Sequence, residues 1–384
     1  MESLDASASA DIEHQPDAVI VGAGPAGLAT SRELQRRNID HVVLERGDRP
    51  GFVWKSLYDS LVLHTGRHLS HLPGMTIPGS MPVFVPRLAV IDYFQQYARE
   101  FDLPIQTGVD VERISRVGGR WRLTTNRGEY FPRALVMATG IISNPYSPQL
   151  VGLADFKGRI MHSQEYRQPL DVSGSRILVI GAGNSGGEIA SELGVAGRQV
   201  DIAVRSGVNV VPVQLAGIPI QYLSNLLRRF PRPIQIGAIA AVRRFIEWRH
   251  GPSPLPRTDL SPLDVMPLIG FHLVDAIRAG QVTLRKGVAE LTETGARFVD
   301  GTEGRYDTII LATGYTAALG PLGDLVRRDA KGFALRTGRV ASADHLDLFV
   351  VGHTYDTSGA LYNIGRDAAL AADRIAKVLS KGPG

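Results

Sequence analysis

Residues 18–27 read Ala18-Val-Ile-Val-Gly22-Ala-Gly24-Pro-Ala-Gly27, and much of the architecture follows from them. Four consecutive apolar residues predict a strand buried on both faces, as in a parallel sheet. A G-x-G-x-x-G loop between a strand and a helix is a turn built to hold a nucleotide pyrophosphate. Gly22 permits the tight turn, Gly24 lets the backbone approach phosphate, and Gly27 lets helix and strand pack closely. The helix predicted from about Pro25 to Arg37 starts with Pro25 and Ala26, and its free N–H groups and positive dipole face the phosphates.

The strand predicted over His41–Leu44 ends at Glu45, with Arg46 next. A carboxylate there accepts hydrogen bonds from both hydroxyls of an unphosphorylated ribose. The pattern then recurs. Arg176–Ile180 predict a second apolar strand, followed by Gly181-Ala-Gly183-Asn184-Ser185-Gly186 and a helix to about Gly194; the strand Val200–Val204 ends in Arg205-Ser206. Glu45 and Arg205 stand 23 and 24 residues beyond the first glycine of their loops and are read as one structural slot. A carboxylate repels a 2′-phosphate, whereas a guanidinium holds one in bidentate fashion. The expectation is FAD on the first loop and NADPH, rather than NADH, on the second; the alternative for Arg205 is a solvated strand-end residue. The sequences around the loops differ too much for a tandem duplication.

The chain has 384 residues, 44% of them hydrophobic, which suits two interlocked α/β domains. Ala138-Thr139-Gly140 and Ala312-Thr313-Gly314-Tyr315 each close a predicted strand, Ala134–Met137 and Thr308–Leu311. Small residues at a strand's carboxyl end let the chain pass a bound ligand and change domain. The predicted layout is two Rossmann-like domains, with the NADPH domain (148–289) inserted into a discontinuous FAD domain (17–147 and 290–384) behind a tail of residues 1–16. A strand, Asp347–Val351, stopped by Gly352, leads to a final helix from about Gly359 to Leu379. Its N-terminus is expected to face the flavin ring and favour the anionic reduced form.

Several classes are excluded. The net charge of +4 is spread without a basic tract, so neither nucleic acid nor membrane is an expected partner. No apolar run approaches the about 18 residues of a bilayer span. Met1–Pro16 lack the pattern of a signal peptide, which points to the cytoplasm. There is no cysteine, so disulfides, thiolate metal sites and a redox-active cysteine pair are all ruled out; no metal is expected. Residues 214–249 carry apolar side chains at helical spacing. They are read as helices covering the active site; a membrane-surface helix is disfavoured because Pro231 and Pro233 interrupt the run. A homodimer is left open.

Between the loops stands Phe156-Lys-Gly158-Arg-Ile-Met-His162-Ser-Gln-Glu-Tyr166. This F-x-G-x3-H-x3-Y stretch resembles the identifying linker of class B flavin monooxygenases, and its final Tyr is similar to the N-oxidising and YUCCA-like branch. Tyr58 to His64, Leu72-Pro73 and Gly183 to Glu188 also resemble the YUCCA-like indole-3-pyruvate monooxygenases. Gly51-Phe52-Val53-Trp54 and the polar stretch 353–365 depart from that pattern, so indole-3-pyruvate itself does not carry over. The resemblance implies that NADPH reduces FAD, that O2 adds at the flavin C4a carbon, and that the resulting (hydro)peroxide oxygenates a small-molecule substrate. A protonated peroxide attacks an amine or sulfide, a deprotonated one a carbonyl or 2-oxo acid; His64, which stands where many N-oxidising members carry Asn, is similar to the YUCCA-like side and tilts the choice toward carbonyls. The implied cofactor contacts include Trp54, His64, Thr139, Gly140, Thr313, Gly314 and Gly352. Tyr362 and Asn363 are expected beside the reacting centre, Arg67 and Arg366 as partners for a substrate carboxylate, and His162 in a positioning role. The alternatives are an NADPH oxidase or ferredoxin-type reductase, and a nucleotide-binding redox sensor.

Overall fold

The computed structural model describes residues 15–381; nearly all of the tail expected over Met1–Pro16 lies outside them. Ala18–Val21 forms the predicted strand, with all four residues buried. Alternation along it assigns its two faces. Ala18 and Ile20 pack into a layer of helices, while Val19 and Val21 meet Trp121 and Leu123 on the other side. This strand pairs in parallel with His41–Glu45 and Ala134–Met137. Ile105–Thr107 and Leu348–Val350 extend the parallel core, and two short antiparallel strands, Ala341–Ser342 and Arg336–Thr337, complete a seven-stranded sheet. The helices on one face are α1 (Pro25–Gln35), α2 (Arg87–Glu100) and, from the far end of the chain, α7 (Ala360–Leu379). The helices α3 (Asn184–Val195), α4 (Ile220–Leu227), α5 (Arg232–His250) and α6 (His272–Arg278) come between them in the chain.

A second sheet has five parallel strands in the order Arg159–His162, Thr308–Leu311, Arg176–Ile180, Gln199–Val204, Val282–Lys286. α3 and α6 cover one face. The other is covered by an antiparallel meander, Val288–Thr292, Gly295–Phe298 and Glu303–Arg305, whose Leu291, Ala296 and Phe298 pack on Leu178 and Ile309. The sequence reading placed 290–311 in the returning half of the first domain. Packing corrects this: Thr308–Leu311 is a strand of the second sheet, the meander packs on that sheet's face, and the chain crosses back only after Leu311. The same plan serves the first sheet, where the meander Val111–Val117, Arg120–Thr125, Gly128–Tyr130 precedes Ala134–Met137. Both halves therefore run strand, glycine loop, helix, strand, then meander, strand and an Ala-Thr-Gly exit.

Residues 214–249 fold into α4 and α5. Pro231 caps α5 and Pro233 sits in its first turn, where a missing N–H costs nothing; the prolines separate two helices rather than break one. No helix among the described residues is long and apolar enough to cross a membrane.

Candidate active site

The first glycine loop is assembled by close backbone contact. Gly22 has φ +102°, and a Cβ there would lie 2.8 Å from the carbonyl oxygen of Ala138. A Cβ on Gly27 would lie 1.8 Å from the Gly22 carbonyl oxygen, so no other residue fits. Gly24, by contrast, has nothing within 4 Å of its Cβ position: its bare backbone faces open space. That space is a cavity of about 610 Å³. Gly22, Gly24, Pro25, Ala26, Glu45, Arg46, Trp54, His64, Thr139, Gly140 and Gly352 all line it, together with the start of α7 at Gly359 to Leu361. The expected N-terminal dipole of the last helix does face the cavity. Glu45 accepts hydrogen bonds from the backbone N–H of Ala23 (2.7 Å) and of Gly47 (2.8 Å). Each oxygen keeps a lone pair for a ribose hydroxyl. A bare loop, a helix start and a fixed carboxylate around one cavity fit a flavin dinucleotide.

The second loop repeats the geometry. A Cβ on Gly186 would lie 2.0 Å from the Gly181 carbonyl oxygen, and Gly183 again has nothing within 4 Å. Thr313 and Gly314 follow the neighbouring strand, and Tyr146 N–H donates to the Gly314 carbonyl (2.9 Å). The strand register corrects one expectation. Gly22 N–H donates to Leu44 and Gly181 N–H to Ala203, so the counterpart of Glu45 is Val204, and Arg205 lies one residue further, matching Arg46. What distinguishes the second loop is thus the lack of an acid at the slot. Arg205 and Ser206 are exposed at the strand's end, and Lys286, paired with Val204 on the adjacent strand, adds a cation that the sequence reading missed.

Asn184 lines the same cavity as the first loop. Its amide ties α3 to the facing loop, donating to the Pro267 carbonyl (3.2 Å) and accepting from Ile269 N–H (2.8 Å). Glu188, one turn on, accepts hydrogen bonds from Tyr58 and from His64 Nε2. Burial raises the Glu188 carboxyl, but His64 and then Tyr58 outweigh it and hold it below its ordinary value. Burial, then the Glu188 charge, push the Tyr58 phenol well above the usual range. His64 therefore stands at the cavity with one ring nitrogen committed to a carboxylate, not free to act alone. The sequence reading quoted Glu188 only as part of a motif; its helical position gave no sign of an inward carboxylate.

The linker motif acts as a clamp. His162 Nδ1 accepts from Gln164 N–H (3.1 Å), so Nε2–H donates to the Gly314 carbonyl (3.0 Å). Burial lowers its pKa, keeping this ring neutral. Tyr166, fully buried, donates to Glu192 (2.9 Å). His162 thereby holds the exit after Thr308–Leu311, and Tyr166 anchors the linker to α3.

Four expected site residues lie elsewhere. Asn363 is buried, but its amide is used up by Arg339 (3.2 Å) and Asp356 (2.8 Å). Tyr362 is 38% exposed, with Arg366 over its ring. Arg67 donates to the Met81 carbonyl (2.8 Å). None of Tyr362, Asn363, Arg67 and Arg366 lines the cavity: the first turn of α7 presents Leu361 and Ile364 inward, which turns Tyr362 and Arg366 outward. Gln221, Tyr355 and Arg328, which the sequence did not single out, line it instead.

Two dinucleotide loops, a shared cavity and a clamped linker define a two-nucleotide flavoprotein. The family described as flavin-binding monooxygenase-like matches residues 16–336, and the chain belongs to it. Among its relatives, an indole-3-pyruvate monooxygenase of Oryza sativa subsp. japonica (YUCCA1) is 33% identical over 329 residues, covering 82% of this chain and 81% of that protein. YUCCA6 of Arabidopsis thaliana, an indole-3-pyruvate monooxygenase, is 34% identical over 313 residues, covering 77% and 75%. A flavin-containing monooxygenase from Stenotrophomonas maltophilia superposes with TM-score 0.77 at 24% identity, over 95% of this chain and 99% of that one. At that identity the likeness speaks for the fold. The protein is an FAD- and NADPH-dependent flavin monooxygenase of the YUCCA-like kind, using O2 to oxygenate a small organic substrate.

Proposed function

We propose that the substrate is a carbonyl compound, of the 2-oxo acid class, bound where the cavity meets His64 and Gln221. The observation that carries this reading is His64, which lines the cavity and is fixed by Glu188 behind it: a carboxylate-anchored imidazole is a base able to take a proton from the reacting group, giving the deprotonated state that attack on a carbonyl requires. The relatives named as indole-3-pyruvate monooxygenases support the same class.

In this reading Gly22, Gly24, Gly27 and Glu45 hold the FAD pyrophosphate and ribose, and Gly181, Gly183 and Gly186 hold the pyrophosphate of NADPH. Arg205, Ser206 and Lys286 receive its 2′-phosphate. When bound, the flavin supplies reduction by NADPH and activation of O2. The protein's own part is to hold both nucleotides against one cavity, keep water out and fix the His64 imidazole at the cavity through Glu188. The domains follow the sheets, with the NADPH domain running from the linker to Leu311. A cytoplasmic location completes the proposal.

Oxygen insertion beside the carbonyl of a 2-oxo acid yields a carboxylic acid and CO2, with water and NADP+ from NADPH, a proton and the second oxygen atom. N- or S-oxidation releases no CO2. Turnover of aryl and alkyl 2-oxo acids is expected to release one CO2 per NADPH consumed. Amines or sulfides oxidised while 2-oxo acids stay inert would overturn the carbonyl reading.

A further inference from the structure

A second cavity of about 810 Å³ lies between α4, α5 and residues 258–264. It belongs to no glycine loop. It shares Gln221, Ile269 and Thr357 with the cofactor cavity, so the two are neighbours across one wall. Leu223, Leu227, Ile239, Val242 and Ile246 give it an apolar lining.

Two further observations point to a ligand. First, α5 is 19 residues long and buries none of them. Ile239, Val242 and Ile246 face the cavity and stay only half-buried. A helix with an apolar stripe normally covers it against a core; here the stripe borders a space instead. Second, Gln221 is 3% exposed, and neither its amide nitrogen nor its oxygen has a hydrogen-bond partner among the described residues. A buried unpaired carboxamide is costly unless something bound supplies the partner. Its place is fixed, because α4 is fastened to the loop bounding the cofactor cavity: Ser224 Oγ donates to the Thr357 carbonyl (3.2 Å), and Arg228 donates to the Leu263 carbonyl (2.6 Å) and Thr357 Oγ1 (2.8 Å).

We propose that this cavity is the chamber for the apolar body of the substrate, and that Gln221, in the wall between the cavities, binds the polar end presented for oxygenation. The substrate class is an organic molecule with one polar reactive group and an extended hydrocarbon body, an alkyl chain or fused rings. The volume matches ligand sites of about 300–1,000 Å³. The inference rests on the oxygenase reaction and not on the choice of carbonyl over amine, since a carboxamide both donates and accepts.

The test uses the FAD-loaded enzyme with NADPH and two substrate series, 2-oxo acids and dimethylalkylamines, each with short, medium and long alkyl tails. In the wild type, kcat/KM is expected to rise about two- to fourfold per methylene until the chamber is full. Gln221→Leu, close in volume, should lower kcat/KM about tenfold along the whole series. Ala240→Trp, which fills the chamber from α5, should flatten the rise with tail length even if the first variant folds poorly; bound-flavin content reports folding in both. A tail-length dependence in the amines alone keeps the chamber and refutes the carbonyl reading. Flat kcat/KM across tail lengths in the wild type, or an unchanged value in well-folded Gln221→Leu, would overturn the chamber.

Discussion

Gly186→Ala is expected to give a protein that keeps its flavin, is reduced by dithionite, and is no longer reduced by NADPH at a useful rate. The added Cβ would lie 2.0 Å from the Gly181 carbonyl oxygen and 2.9 Å from the Ala312 side chain. Neither neighbour can give way: one is backbone of the loop, the other closes the adjacent strand. α3 must therefore back away from the sheet. Its N-terminal N–H groups then move from the place where the NADPH pyrophosphate docks, and displacements of about 1 Å cost catalysis about 100-fold. The drop in kcat/KM for NADPH is expected to be at least that large, measured as the rate of anaerobic flavin reduction. Gly27→Ala, with its Cβ 1.8 Å from the Gly22 carbonyl oxygen, should give the mirror result, a folded protein poor in flavin. If Gly186→Ala instead lost flavin while Gly27→Ala lost NADPH reduction, the two loops would have to exchange cofactors.

Asp367→Ala should destabilise the protein by about 3 kcal/mol. Asp367 is wholly buried in α7, where it accepts from Arg339 Nε (2.6 Å) and Thr354 Oγ1 (2.8 Å). Removing one partner of a buried pair typically costs about 3–5 kcal/mol, because the other charge is left uncompensated. The lower end applies, since the Arg339 side chain keeps 35% of its surface in water. For domains of this size that corresponds to a fall in Tm of about 6–12 °C. Asp367→Asn retains an acceptor for Thr354 and should lose less. Equal Tm for wild type and Asp367→Ala would show that the pair contributes nothing. The same network holds residues 353–356 beside the cavity through Thr354, so flavin affinity should weaken together with Tm.

The strands Ala18–Val21 and Ala134–Met137 were legible because they are apolar on every residue, and the glycine loops because only glycine tolerates the contacts at Gly22 and Gly27. Such constraints are local, and sequence displays them. The register between strands is not local. The count from Gly181 to Arg205 missed by one residue because only the hydrogen bond from Gly181 to Ala203 shows that Val204 matches Glu45. The domain boundary was set at residue 290 instead of after Leu311 for a similar reason: the apolar residues of the meander 288–305 show that it packs on something, not on what. Asn363 and Tyr362 looked reactive by residue type, yet the phase of α7 turns one into a hydrogen-bond network and the other to solvent. Glu188 and Gln221 escaped notice because a polar residue among helical apolar ones reads as surface. Their inward placement comes from contacts with Tyr58, His64 and the 357–358 loop, all distant in the chain.

The central claim is that the two loops serve one oxygenating centre. Enzyme reduced by one equivalent of NADPH without air, then mixed with O2 in a stopped-flow spectrometer, tests it most directly. The predicted course has a lasting third spectrum, neither reduced nor oxidised flavin, which decays faster when substrate is added and returns oxygenated product in proportion to NADPH. Immediate return to oxidised flavin with stoichiometric hydrogen peroxide, unaffected by any substrate, would contradict it and leave an NADPH oxidase.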